Sequence, residues 1–365
     1  MSDKLLLKNQ GIDGPILAVE DLHVHFSGAS KLFGATPPPV KAVNGISFGI
    51  LPERTFGLVG ESGSGKSTVA RAILQLVEPV QGTIRLAGND VTRVQRSGEL
   101  DFRKRVQAVL QDPFSSLNQV HQTRTIVGDA ITRHYGTSAG KQRDEQVGRL
   151  LDDVGLSRDF LDRYPWEMSG GQRQRVSIAR ALAVEPDVII ADEATSALDV
   201  SIQSQVINVL KRIQDDSGVA FLFIAHDLEV VKHVSHDIGV MYLGYLVEQG
   251  EAGKINDAPT HPYTEMLIAS IPVPDPVTQA RRRALRQTFN NNAEPPSPAN
   301  LPMGCPFENR CPVALDICKE VMPDPTPAHH GGEVRCHLHT TGPELAGESV
   351  VQFIKSKARG PAEVK

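Results

Sequence analysis

The run Gly60-Glu61-Ser62-Gly63-Ser64-Gly65-Lys66-Ser67-Thr68 constrains this chain more than any other stretch. It follows an apolar run at residues 55–59 and leads into residues 69–77, whose apolar side chains recur at helical spacing. The glycines therefore sit at a strand-to-helix turn, the context that a phosphate-binding loop of the form G-x-x-x-x-G-K-S requires. Glycine lets the backbone curl with its N–H groups inward, and a helix starting near Ser67 adds about half a positive charge at its N-terminus. Lys66 would reach the terminal phosphates of a nucleoside triphosphate, and the Ser67 hydroxyl would ligate Mg²⁺.

A chain of 365 residues is long enough for two domains with a sizeable core. The net charge of -5 argues against a dedicated nucleic-acid binder. The one dense basic cluster, Arg281, Arg282, Arg283 and Arg286, reads as a solvated face. No long apolar segment opens the chain, and runs such as residues 219–225 fall far short of a membrane span, so a cytoplasmic protein is expected. All four cysteines lie between Cys305 and Cys336, which in a reducing compartment points to metal or iron–sulfur ligation rather than disulfides.

Residues 16–26 alternate as a strand with one break in register, and residues 27–40 read as an inserted loop with three consecutive prolines. Strand character returns at 43–50, 55–59 and 82–86, the last closed by Gly88-Asn89-Asp90. From about 113 to 185 the strand signals fade, and Val147, Leu150, Leu151 and Val154 form one helical stripe, predicting a helical insert within an α/β core. Buried strands follow at 188–191 and 219–225, separated by a helix at 201–213. Residues 287–304, rich in Asn and Pro, read as a connector.

Two further motifs bear on chemistry. Residues 188–193 are a buried strand ending in Asp192 and Glu193. Beside a phosphate loop, such a strand end can hold Mg²⁺ through Asp192 while Glu193 orients or deprotonates the attacking water. Ser169-Gly170-Gly171-Gln172 opens a second good helix, again suited to an anion. With a single complete phosphate loop in the chain, this spare helix start suggests service to a nucleotide held by another subunit.

With these residues in view the chain resembles the ATP-binding-cassette ATPases over roughly residues 16–250, because six motifs occur in that family's order. Besides the three above, Gln111 matches the glutamine loop, Ser196-Ala197-Leu198-Asp199 the aspartate loop, and His226 the switch histidine. The resemblance implies a P-loop (RecA-like) α/β cassette with antiparallel β and helical subdomains, ATP and Mg²⁺ as ligands, and a dimer sandwiching ATP. It further implies that Gln111 contacts Mg²⁺ or water and senses a membrane partner, that His226 bonds the γ-phosphate, and that Asp199 acts across the dimer interface. Phe26 is the candidate for stacking on adenine, with Phe33 as the alternative.

The stretch Ala258-Pro259-Thr260-His261-Pro262-Tyr263-Thr264 and the cysteine-containing tail resemble the C-terminal extension of oligopeptide and dipeptide importer ATPases. The expected organisation is a nucleotide-binding cassette over residues 1–255, with its helical subdomain at about 113–185, and an extension over 256–365. Cys305, Cys311, Cys318 and Cys336 are spaced C-x5-C-x6-C-x17-C, which could wrap one cluster or ion. The resemblance favours a [4Fe–4S] cluster, then zinc, then four unligated thiols. Partners implied are a second ATPase subunit, of the same or a homologous chain, two permease subunits and an external binding protein, with this chain peripheral on the cytoplasmic face of the membrane. A soluble cassette ATPase acting on ribosomes or nucleic acid is the competing reading. Ala194, Met168, Trp166 and Gln119 depart from the family's commoner residues without removing a ligand-bearing group.

Overall fold

The computed structural model describes residues 14–27, 38–196, 198–289, 293–329 and 331–340. Phe33, Ala197 and most of the inserted loop lie outside the described residues.

The chain opens with β1 (Leu17–Phe26) and β2 (Val40–Ile50), an antiparallel pair. The break in the alternation of β1 is a β-bulge: pairing shifts between Val19 and Leu22, and Asp21 takes φ 48°. Leu17, Val19, Leu22 and Val24 are thereby all returned to the buried face. Strand β3 (Thr55–Val59) follows, then α1 (Lys66–Ile73), β4 (Gln81–Leu86) and β5 (Asn89–Asp90). The first sheet has the order β2-β1-β4-β5.

Helix α2 (Glu99–Arg105) leads directly into β6 (Val106–Val109). A helical stretch comes next: α3 (Pro113–Ser116), α4 (Thr123–Tyr135), α5 (Lys141–Asp153) and α6 (Gly170–Leu182). On α5, Val147, Leu150 and Leu151 are buried along one stripe. The core strands resume as β7 (Val188–Asp192), β8 (Ala220–Ala225), β9 (Asp237–Tyr242) and β10 (Tyr245–Glu251), with α7 (Val200–Ser217) and α8 (Leu228–Val234) between them.

After β10 come α9 (Ala252–Asp257), α10 (Pro262–Ser270), α11 (Pro276–Arg286), α12 (Ile317–Glu320), the short strands β11 (Thr326–Pro327) and β12 (Glu333–Val334), and α13 (His337–Thr340). The second sheet runs β11-β12-β10-β9-β3-β8-β7-β6. The C-terminal stretch thus extends the sheet that carries the phosphate loop, through the pairing of Glu248 with Val334. Phe307 is fully buried, with ring centroids 5.4 Å from Tyr242 and 5.3 Å from Tyr263.

All of β3 is buried, because it is flanked by β8 on one side and β9 on the other. Phe48 of β2 stacks on Phe56 of β3 at 4.7 Å, locking the antiparallel sheet onto the parallel one. Gly57 is required where α8 crosses the strand: a Cβ there would lie 2.2 Å from Val231 Cγ1 and 2.5 Å from Ser235 Oγ. Gly57→Ala is expected to destabilise the fold by about 1–3 kcal/mol through overpacking against a stiff β-branched side chain. Denaturant unfolding of the full chain checks this, and an unchanged midpoint would contradict it.

Candidate functional site

Strands β3, β6, β7 and β8 are mutually parallel, so their carboxyl ends meet at one edge of the sheet. Val59 aligns with Ala225, Ala191 with both Val109 and Phe223, and Asp192 with Ile224. The residues just beyond these ends are Gly60, Gln111, Glu193 and His226. An edge of this kind is where ligands of open α/β sheets bind.

The loop between β3 and α1 is closed by backbone approaches that only glycine permits. At Gly65 (φ 104°) a Cβ would lie 2.2 Å from the Ala42 carbonyl oxygen, and at Gly60 2.1 Å from that of Met241. No side chain caps the N-terminus of α1. The Lys66 ammonium is buried and folds back over the loop, donating to Gly60 O at 2.8 Å, Glu61 O at 2.9 Å and Ser64 Oγ at 3.2 Å. Burial lowers its pKa, and the Glu193, Asp192 and Glu61 carboxylates oppose that shift. The Ser67 hydroxyl donates to Asp192 Oδ1 at 3.1 Å, and burial raises the Asp192 pKa.

Lys66 and Ser67 line a cavity of about 190 Å³ that also takes in Ala42, Glu193 and Pro298, with Asp192 behind it on Ser67. Glu193 sits at φ 48°, a left-handed backbone that costs a non-glycine residue about 1–3 kcal/mol. It is held there by its N–H to Ile224 O at 2.9 Å and by the N–H and hydroxyl of Ser196 on its own carbonyl. Lys66, Ser67, Asp192 and Glu193 are therefore gathered at one place.

Other predicted residues stand apart from this cavity. Gln111 and His226 are exposed just beyond their strands, followed by Asp112 and Asp227, which cap α3 and α8. Ser169 caps α6 in a reciprocal pair with Gln172: Gln172 N donates to Ser169 Oγ at 3.3 Å, and Ser169 N to Gln172 Oε1 at 2.9 Å. Gly170 and Gly171 let this helix start approach Leu198 and Ile202, and a Cβ on Gly171 would lie 2.4 Å from Ile202 Cγ2. Asp199 is exposed at the start of α7. Phe26, 38% exposed, pairs with Val40, itself at the cavity edge, but does not line the cavity.

The four cysteines come together at the C-terminal stretch. Cys305 N donates to Cys318 O at 2.8 Å, and each thiol is within electrostatic reach of at least one other. Burial pushes Cys305 and Cys311 up to about 12 and raises Cys318 and Cys336 as well, which holds all four as neutral thiols. Contrary to the ligand set expected from their spacing, no group of three or more His, Cys, Asp or Glu among the described residues is placed to hold a metal ion. No helix among the described residues is long and apolar enough to cross a membrane.

The residues that sequence reasoning missed belong to the far end of the chain. Pro298 lines the cavity and its carbonyl accepts from Lys41 N at 3.1 Å. Arg310 forms a two-pronged ion pair with Glu61, at 2.9 and 3.1 Å. No local pattern signals these contacts, because the partners are some 250 residues apart.

Comparison with known proteins agrees with this architecture. The family described as ABC transporter matches residues 43–196, and that described as oligopeptide/dipeptide transporter, C-terminal region, matches residues 247–318. The chain is 45% identical to the putative oligopeptide transport ATP-binding protein YkfD of Bacillus subtilis, covering 89% of this chain and 96% of that one. It is 40% identical to the oligopeptide transport ATP-binding protein OppF of Salmonella typhimurium, covering 84% and 92%. Among solved structures it is similar to cbiO1 of Clostridium perfringens, part of the ABC transporter complex cbiONQ (TM-score 0.57, 25% identity, 67% of this chain and 91% of that one). It also shares the fold of the ATP-binding cassette MJ0796 bound to ADP and Pi (TM-score 0.56, 24% identity, 65% and 98%).

The Asp192 carboxylate gives a pH-dependent expectation. Its pKa is raised in the fold, so the protonated form is favoured there, and stability is lost as pH rises through the folded value. Asp192→Asn should therefore match the wild type in stability below about pH 4 and exceed it by about 2 °C in melting temperature at neutral pH. The same variant should lose the stabilisation that Mg²⁺ and ATP add. Melting curves across pH 4–8 with and without MgATP check both; a less stable variant at neutral pH would contradict the electrostatic reading.

Proposed function

The chain belongs to the ABC transporter ATPases, in the group of oligopeptide transport ATP-binding proteins, and on that premise we propose how its residues divide the work of an ATP-hydrolysing importer subunit. The residues at the cavity fit a triphosphate and a hard cation: a buried ammonium, and beside it a hydroxyl hydrogen-bonded to a desolvated carboxylate. Ser67 and Asp192 would hold Mg²⁺, with Gln111 as a further contact, and the ion would neutralise charge on the terminal phosphates. Lys66 turns from the loop carbonyls to the phosphates. Glu193 is the general base, and the strained backbone that aims it into the cavity is the observation that carries this assignment.

The second glycine-opened helix start and the residue that opens α7 act across subunits. Ser169, Gly170, Gly171 and Gln172 would contact the nucleotide of a second ATPase subunit, and Asp199 would meet that subunit's phosphate loop. His226 would bond the γ-phosphate, and Phe26 would stack on adenine. The cargo is peptides, delivered by an external binding protein and passed through two permease subunits. Those permeases would dock on the helical stretch, where Phe114 and Val120 are exposed beyond Gln111 and a cavity of about 600 Å³ opens between α4, α5 and the end of α6. The chain would thus sit peripherally on the cytoplasmic face. Because the oligopeptide transporter C-terminal region matches residues 247–318, the ribosome or nucleic-acid reading is not favoured.

The spacing of the four cysteines and their mutual proximity, two buried and two half-buried, support a role as ligands of a [4Fe–4S] cluster, with zinc as the other occupant. Binding requires the thiols to lose their protons and turn inward, and the cluster would serve as a structural clip.

Two experiments test these assignments. In the complex purified from gently solubilised membranes, Glu193→Gln should bind ATP normally while hydrolysis falls by about 10²–10⁴. Near-normal turnover removes the catalytic assignment, and recovery with ribosomes but no permease overturns the transporter reading. Anaerobically purified protein should absorb near 400 nm and contain about four irons per chain; colourless, iron-free protein sinks the cluster.

A further inference from the structure

Glu61, the second residue of the phosphate loop, is gripped at three points. Its carbonyl accepts from Lys66 Nζ at 2.9 Å, its N–H donates to the Tyr263 hydroxyl at 2.9 Å, and its carboxylate takes both prongs of the Arg310 guanidinium at 2.9 and 3.1 Å. Two of these three grips come from the stretch after β10. Both are well sheltered: Tyr263 is fully buried, and the Arg310 side chain is 11% exposed. Arg310 is itself steadied by the Tyr242 hydroxyl at 3.5 Å and lies over the Tyr242 and Phe307 rings.

The charge of Glu61 sharpens the point. A carboxylate in a loop that must receive a triphosphate opposes that ligand, and Glu61 lies close enough to Lys66 to influence its ammonium. A bidentate guanidinium on a half-sheltered carboxylate neutralises that opposition and fixes the side chain.

We propose that Arg310 and Tyr263 are positioning residues for ATP, holding the phosphate loop through Glu61 so that the C-terminal stretch is a working part of the nucleotide site. The inference rests on the nucleotide reading above and extends it. Neither residue touches the nucleotide: Arg310 cancels the Glu61 charge, and Tyr263 fixes the direction of the Glu61 peptide. Their loss weakens ATP binding while the reacting groups, Glu193 and Asp192, stay in place.

The test is titration of the full-length chain with a fluorescent N-methylanthraniloyl ATP in the presence of Mg²⁺, with ATPase kinetics in the assembled transporter. Arg310→Gln should raise the dissociation constant and KM about tenfold, with kcat at saturating ATP within about twofold. Tyr263→Phe, which keeps the buried ring and therefore the fold, should raise them about threefold. Arg310→Lys should recover part of the loss. Adding Glu61→Gln to Arg310→Gln should recover most of it, because the unpaired carboxylate is then gone, a rescue that a merely structural role would not produce. Lys66→Ala separates the premises: if it binds like the wild type, the nucleotide reading fails and the inference with it. If Lys66→Ala abolishes binding while folded Arg310→Gln and Tyr263→Phe both bind like the wild type, the inference alone is overturned.

Discussion

The pairing of β3 between β8 and β9 is the constraint on which the rest of the molecule depends. Every residue of β3 is buried, so its backbone groups must be met within the protein, chiefly by the two parallel neighbours and at Thr55 by His236. Parallel pairing brings the ends of β3, β6, β7 and β8 out on the same side. The phosphate loop, the two carboxylates, the glutamine and the histidine are therefore delivered to one edge by topology before any of their side chains interact. Gly57 and the Phe48–Phe56 stack matter to function only because they hold this strand in its slot.

What topology delivers, burial then charges. Lys66 and Asp192 are both desolvated, and each is driven toward its neutral form by burial and back toward its charged form by the other. Such an arrangement is poor as a stabilising ion pair, since desolvation of two charges consumes the attraction between them. It is well suited to a ligand that brings opposite charges of its own. Glu193 adds a second unfavourable element, a left-handed backbone fixed by bonds from Ser196 and to Ile224. Strain and desolvation thus meet at the site in Glu193, Lys66 and Asp192, as expected where they serve chemistry.

The phosphate loop, the strand at 188–192 and the helix opened by Ser169 were legible because each depends on residues within a few positions: glycines at a turn, an apolar run, an N-cap with its partner three residues on. Even the irregularity of β1 left a trace, since the bulge at Asp21 shows as a break in alternation. Strand β6 was missed because only Val106 and Val109 are fully buried and a helix runs straight into it without a turn signal. The spacing of the cysteines foretold their gathering but not their state, which depends on how deeply the surrounding core desolvates the thiols. The contacts of Arg310 and Tyr263 with the loop, and of Pro298 with Lys41 beside it, had no sequence signal at all, because each joins residues more than about 200 positions apart.

Those long-range contacts change how the C-terminal stretch is understood. An appended module would meet the sheet along its rim and leave the loop alone. Here β12 joins β10, Phe307 is sunk between Tyr242 and Tyr263, and the residue that follows Asn309 reaches the loop itself. Tyr242 ends β9, the strand beside β3, and its hydroxyl meets Arg310, so sheet, aromatic cluster and loop are one continuous packing unit. Cys311 directly follows Arg310, and Cys305 lies two residues before Phe307. The cysteines thus flank, along the chain, the two side chains that tie this segment to the aromatic cluster and to the loop.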